Sequence, residues 1–207
     1  MKDIYFITGI STEVGKTITA AILTEALEAD YWKPVQAGDL DHSDTHKVKS
    51  WIANTRTVFH PSAIELQTPM SPHAAAEIEG RRLKADQCLR PQTENTLVIE
   101  GAGGLLVPLN TTETIVDLIQ PSDKVILVSR HYLGSINHTL LSVEALQARG
   151  LKLFGMVFSG DEHPSTEAII LEKTKVPMIG RIREEKHFDR SLISQYAKQF
   201  RDVLRTT

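Results

Sequence analysis

Short apolar runs without polar alternation recur from one end of the chain to the other. They are IYFIT at 4–8, TLVIE at 96–100, KVILVS at 124–129 and LFGMVF at 153–158. A strand with one wet face alternates apolar and polar residues, whereas a strand buried on both faces reads as continuous. Helical patterns lie between these runs. KTITAAILTEALEA (16–29) carries Ile18, Ala21, Ile22 and Leu23 at helical spacing and closes at Ala29-Asp30. HSDTHKVKSWIAN (42–54) has Ser43 or Asp44 as its N-cap. SINHTLLSVEALQARG (135–150) closes at Gly150, STEAIILEKT follows at 165–174, and DRSLISQYAKQFRDVL (189–204) is amphipathic. YWKPVQ (31–36) and MIGRI (178–182) read as short strands, and MSPHAAAEIEG, LKADQCLR and IVDLI as helical pieces. Strands alternating with helices predict an α/β fold, a doubly wound, mainly parallel sheet with helices on both faces. The 207 residues hold no repeat, low-complexity tract or linker, which predicts one domain over 1–207.

Ligands of such sheets bind beyond the carboxyl ends of the strands. The first strand end carries GISTEVGKT, residues 9–17. A phosphate loop needs backbone N–H groups curling round an anion and a helix N-terminus facing it. Gly15 lets the main chain approach closely, Lys16 can lie across the β- and γ-phosphates, and the Thr17 hydroxyl can bind Mg²⁺. The strand-loop-helix context makes the architecture P-loop NTPase-like. The generic pattern has four residues between its glycines, and here there are five, Ile10 to Val14.

The second strand carries Lys33, either snorkelling at a sheet edge or aimed into the site. Asp44 is either a helix cap or a carboxylate offered to a metal. Glu100 ends a buried strand, where a carboxylate is costly unless paired, hydrated or metal-bound. The following turn, Gly101-Ala102-Gly103-Gly104, makes room for something bulky. With Thr17, Glu100 can complete an Mg²⁺ site of hard oxygens and waters.

The formal charge of −3 gives no electrostatic reason to expect nucleic acid or an anionic membrane as partner. The eight histidines show no metal-ligand spacing. The single cysteine, Cys88, cannot form an internal disulfide, which fits a reducing compartment. It is either a nucleophile or, on the apolar side of an amphipathic helix, structural. No apolar run approaches the ~18 residues of a membrane helix, and MKDIYFITGI is too short in its apolar part for a signal peptide. A cytoplasmic location is expected.

GISTEVGKT, KPVQAG, HSD, SPHAAA, EGAGGLLVP and LGSINH occur in that order. Together they closely resemble the dethiobiotin synthetase family, whose phosphate loop has the same longer form. The resemblance runs from residue 4 to about 182. It implies closure of a ureido ring on 7,8-diaminopelargonate with CO₂ and ATP, through a carbamate and a carbamic–phosphoric anhydride, in biotin synthesis. Catalysis is then mainly positioning and charge neutralisation. The resemblance implies that Lys16 contacts the γ-phosphate and that Lys33 reaches the same centre. It implies that Thr17, Asp44 and Glu100 hold Mg²⁺, and that Thr12, Glu13, Val14 and Gly15 line the nucleotide. The diamine is implied beside Ser71 and the Gly101 to Gly104 turn. Its tail carboxylate is implied at Ser135, Ile136 and Asn137, the start of a helix, contributed by the partner subunit of a homodimer with shared active sites. A plain N-cap box would also explain Ser135.

There are departures from the family pattern. Ala37 stands where many relatives carry Ser or Thr on the substrate side. Ser159 replaces the usual asparagine and Arg183 a frequent proline, both beside the nucleotide base, so weak discrimination among nucleoside triphosphates is implied. Partitioning and maturation ATPases share the architecture but carry an extra lysine early in the loop, and TGISTEVG (8–15) has none. A non-catalytic nucleotide-binding regulatory module would have lost the lysines or the metal carboxylates, and all are present.

Overall fold

The computed structural model describes residues 2–206; Met1 and Thr207, the ends of the expected 1–207 domain, lie outside the described residues. The chain runs β1 (Ile4–Gly9), α1 (Lys16–Leu27), β2 (Asp30–Trp32), β3 (Val35–Ala37), α2 (Asp44–Trp51), β4 (Phe59–His60), β5 (Ile64–Leu66) and α3 (Pro72–Ile78). It continues through β6 (Leu97–Gly104), β7 (Lys124–Arg130), α4 (Ser135–Gln147), β8 (Leu153–Ser159), α5 (Pro164–Thr174), β9 (Met178–Ile182) and α6 (Arg190–Thr206).

Seven strands form one sheet in the order β4-β2-β6-β1-β7-β8-β9, and every neighbouring pair is parallel. From β1 the chain first crosses to one side for β2, and after β6 to the other for β7, β8 and β9. The carboxyl end of β1 is therefore at the topological switch, where such sheets open a crevice. The continuous apolar strands are buried on both faces, as expected. Tyr5 and Ile7 of β1 pack with α1 and α6 on one face, while Phe6 packs with Ala75, Ala76 and Leu146 on the other. Among the described residues no helix is long and apolar enough to cross a membrane.

Several local expectations are corrected. YWKPVQ is not one strand. β2 ends at Trp32, and β3 pairs in parallel with β5 in a separate two-stranded sheet. Pro34 between them has no N–H to give to a ladder. GAGG is not a turn but the end of β6, with Gly104 paired to Gly9 across an irregularity in register. Its glycines admit protein: a Cβ on Gly101 would lie 3.1 Å from the Phe6 ring and 3.2 Å from the Ile7 carbonyl. α1 stops at Leu27 because Glu28 turns left-handed at φ 49, and Asp30 already belongs to β2. LKADQCLR forms only a 3₁₀ turn, Ala85–Gln87, which ends at Cys88. Burial pushes the Cys88 thiol up to about 11, the opposite of an activated nucleophile. IVDLI is likewise a 3₁₀ turn, Ile115–Leu118.

The amphipathic tail closes one face of the sheet, and Gly180 of β9 is where it comes nearest. A Cβ there would meet the Phe200 ring at 2.4 Å. Gly180→Ala should lift α6 and cost roughly 1–3 kcal/mol, the usual range for overpacking. Thermal unfolding should show a midpoint several degrees lower with the fold retained; an unchanged midpoint would show that α6 does not seat there.

Candidate functional site

Beyond β1 the loop folds back over its own strand. A Cβ on Gly9 would collide with Val14 Cγ2 at 2.5 Å, and buried Val14 forms the underside of the loop. Thr12 and Glu13 stand exposed on the rim. Glu13 is left-handed at φ 54, as is Gly15 at φ 98, where the α1 helix begins. The fifth residue between the glycines is thus taken up in a left-handed turn. The Ile10 N–H donates to the Val128 carbonyl at 3.1 Å, which ties the loop to β7. Lys16 is 7% exposed and its Nζ donates to the Ser11 carbonyl at 2.9 Å, within the loop it would serve.

The charged residues meet at the next strand ends. Parallel register sets Trp32 of β2 against Ile99 of β6, so Lys33 falls beside Glu100. Lys33 Nζ lies 3.0 Å from Glu100 Oε1 and 2.6 Å from Asp44 Oδ2. The Thr17 hydroxyl donates to Glu100 Oε1 at 2.8 Å. Of the two readings of Lys33, the inward one holds: it is 4% exposed. Asp44 is not the cap. Ser43 is the N-cap, and Asp44 is the first helical residue of α2, which leaves its carboxylate for Lys33.

Two residues of this cluster escaped the reading of the sequence. The Tyr31 hydroxyl, fully buried, donates to Glu100 Oε2 at 2.7 Å. Its signal was available: Tyr31 and Lys33 are two apart on an extended segment and so share a face. Gln36, also buried, accepts from the Asp44 N–H at 3.4 Å and donates to the Gly38 carbonyl at 2.9 Å, which holds the start of α2 against the end of β3. Nothing in the local pattern announces that role.

The electrostatics separate the two lysines. Burial alone would lower Lys33, but the carboxylates of Glu100 and Asp44 outweigh it and raise the group above its ordinary value. Lys33 is a fixed cation. Burial lowers Lys16 to about 8, helped by repulsion from Lys33. Burial pushes Asp44 upward, but Lys33 and then Lys47 overcome it and hold the carboxyl at about 2.

The oxygens of Thr17, Asp44 and Glu100 converge on this point. Among the described residues no cluster of three or more His, Cys, Asp or Glu is set to hold a metal. Two carboxylates and a hydroxyl fit Mg²⁺, which keeps several waters and takes phosphate oxygens to complete its shell.

The remaining residues named from the sequence fall in separate groups. Ala37 ends β3, and at the adjoining Gly38 a Cβ would meet Pro69 at 2.4 Å, which brings KPVQAG against the segment leading into Ser71. Ser71 is the N-cap of α3, with no side-chain cap bond. Gly104 pairs beside Gly9 at the loop. Ser135 is not a cap: Gly134 is the N-cap of α4 and Ser135 is its first residue, buried, with its carbonyl bonded by Thr139. Ile136 and Asn137 are exposed. Ser159 lies under the loop, its Oγ 3.0 Å from where a Gly15 Cβ would be. Arg183 is exposed just past β9, its N–H donating to the Tyr196 oxygen at 3.1 Å.

A family model described as an AAA domain matches residues 3–191. The chain is 62% identical to the ATP-dependent dethiobiotin synthetase BioD of Christiangramia forsetii, over 99% of each chain. It is 45% identical to the protein of the same name from Cytophaga hutchinsonii, covering 96% of this chain and 97% of the relative. Among solved structures, the septum site-determining protein MinD of Pyrococcus horikoshii, complexed with Mg-ADP, aligns with TM-score 0.63 at 15% identity over 100% and 96% of the two chains. A putative plasmid partition protein of Borrelia burgdorferi, bound to AMPPNP, aligns with TM-score 0.61 at 14% identity over 99% and 98%. At that identity the structural likeness shows the fold alone.

With Lys16 held at about 8, its charge is present below that pH and lost as pH rises through it. An anion that binds the charged form should therefore bind more weakly in alkali. Affinity for a non-hydrolysable triphosphate analogue, at saturating Mg²⁺, should fall about tenfold between pH 8 and 9.5. A titration that stays flat over that range would show that Lys16 does not carry the interaction.

Proposed function

Because the chain belongs to the ATP-dependent dethiobiotin synthetase family, a family of ATP-dependent ligases of biotin biosynthesis, we propose that it closes a ureido ring on 7,8-diaminopelargonate using CO₂ and ATP. The observation that carries this reading is the buried ammonium of Lys33, clamped between Glu100 and Asp44 beside the phosphate loop. One amine of the diamine adds to CO₂ and loses a proton, giving a carbamate. A carbamate oxygen attacks the γ-phosphorus, the bond to ADP breaks, and a carbamic–phosphoric anhydride forms. The second amine attacks the anhydride carbonyl, phosphate leaves, and the ring closes with loss of a proton.

This chain's residues mainly hold and neutralise. Lys33, an ammonium held between Glu100 and Asp44, serves as a cation toward the carbamate and the transferring phosphoryl group. Lys16 needs an anion beside it to remain charged at alkaline pH, and the γ-phosphate is that anion. Thr17, Asp44 and Glu100 would hold Mg²⁺, which when bound offsets charge on the β- and γ-phosphates. Tyr31 keeps Glu100 oriented. Ala37, Ser71 and Gly104 border the diamine, Gly101 lies behind them packed on Phe6, and Thr12, Glu13, Val14 and Gly15 border the triphosphate. Ser159 and Arg183 flank the base, where one short hydroxyl cannot span the two edge atoms of adenine and a guanidinium has no acceptor, so binding rests mostly on the triphosphate. The protein acts in the cytoplasm on small molecules, without nucleic acid or membrane.

We further propose a homodimer in which Ser135, Ile136 and Asn137 complete the partner's site by binding the substrate carboxylate. In support, Tyr132, Leu133, Ile136 and Leu141 expose apolar surface around the start of α4, Leu133 being fully exposed.

A phosphate-release assay tests the activity. Release should require diamine and bicarbonate together, and Lys16→Ala should lower kcat by roughly 10²-fold or more, as for loss of a preorganised charge donor. Release from ATP alone at the full rate would identify a switch ATPase instead. The shared site has its own test. Mixing Lys16→Ala protein with an inactive Asn137→Ala protein should restore activity through hybrid dimers carrying one intact site. No recovery, with exchange of subunits verified, would place the carboxylate site within a single subunit.

A further inference from the structure

Arg130, the last residue of β7, takes no part in the functional reading above, yet it touches the phosphate loop. One guanidinium nitrogen donates to the Glu13 carbonyl at 3.1 Å and the other to Glu184 at 2.8 Å. Arg130 pairs in register with Ser159 of β8, and Ser159 with Ile182 of β9. The side chain therefore spans the carboxyl end of β8, from the loop after β1 to the segment after β9. Its acceptor in the loop belongs to the residue held at φ 54, a left-handed conformation that a side chain other than glycine adopts at a cost. Both partners are surface groups, Arg130 being 43% and Glu184 58% exposed. An ion pair so placed contributes little to stability. Its contact in the loop is with main chain, at the Glu13 carbonyl.

We propose that Arg130 is a nucleotide-positioning residue: it pins the Glu13 turn of the phosphate loop in its anion-binding shape and anchors that turn, through Glu184, to the segment beyond β9. The proposal rests on the functional reading above. The planar guanidinium gives each acceptor its own nitrogen in a fixed fork, whereas a lysine has a single nitrogen on a flexible stem. Loss of the side chain leaves the lysines, Thr17 and the carboxylates in place but lets the loop relax before nucleotide arrives.

The test uses full-length wild type, Arg130→Gln, Arg130→Lys, Glu184→Gln and the double variant Arg130→Gln/Glu184→Gln. Calorimetry gives the Kd for Mg-ADP, and steady-state assays give KM for ATP and for diamine separately. In Arg130→Gln, the Mg-ADP Kd and the ATP KM should rise about tenfold, the scale of a lost charge-assisted hydrogen bond. The diamine KM, kcat at saturation and the unfolding midpoint should stay close to wild type. Arg130→Lys should fall nearer to Arg130→Gln than to wild type, and the double variant should be no weaker than Arg130→Gln alone. An Mg-ADP Kd within twofold of wild type overturns the proposal, as does a lower unfolding midpoint with both KM values rising together. Additive losses in the double variant also overturn it, because the two side chains would then act separately. Failure of the ligase reading would appear instead in the wild-type protein, as phosphate release indifferent to diamine.

Discussion

The site depends on a carboxylate that cannot stand alone. Glu100 is 1% exposed at the centre of a parallel sheet, where an unpaired charge is far too costly to keep. Thr17, Tyr31 and Lys33 each give it a hydrogen bond, and they come from α1 and from the segment that begins with β2. Lys33 in turn recruits Asp44 from α2. One buried charge thus ties the phosphate loop's helix, the neighbouring strand and the following helix to a single point. Removing one member of such a buried pair leaves its partner uncompensated, at a cost of about 3–5 kcal/mol. The contacts that hold this arrangement are all within the protein itself.

Sheet topology explains why this cluster lies beside the loop. β6 is inserted between β1 and β2, so Glu100 is flanked by the strand that feeds the loop and by the strand that leads to Lys33. The two lysines then approach each other, and their different surroundings set their different charges. Lys33 has two carboxylates within 3.0 Å and stays an ammonium. Lys16 has the Ser11 carbonyl and burial lowers it to about 8. One lysine is paired with carboxylates, and the other with a backbone carbonyl.

Much of the site was legible because its residues fall at strand ends, and strand ends are visible as the limits of continuous apolar runs. Gly15, Lys16 and Thr17 follow one such run and Glu100 ends another. Tyr31 was passed over because it sits inside the second run, where an aromatic reads as core; its hydroxyl matters only because Glu100 is across from it. Arg130 was missed for a similar reason, since a basic residue ending a strand looks like a solvated tip until its acceptors on two distant loops are known. The strands β4 and β5, of two and three residues, are too short to show a period.

The sequence by itself determined the class of sheet, the order of its longer elements and the phosphate loop, because these are set by local patterns: unbroken apolar strands, helical spacing, and glycine and lysine ahead of a helix. The ordered motifs also carried the family. Only the tertiary structure decided that Pro34 divides a strand between two sheets, that GAGG continues a strand past Phe6, and that Asp44 leaves capping to Ser43 and pairs with Lys33. Each of those depends on a neighbour far away in the chain: the missing ladder partner of a proline, the ring that fills the space above a glycine, the ammonium that claims a carboxylate. Local preference leaves such choices nearly balanced, and a few kcal/mol of long-range contact settles them.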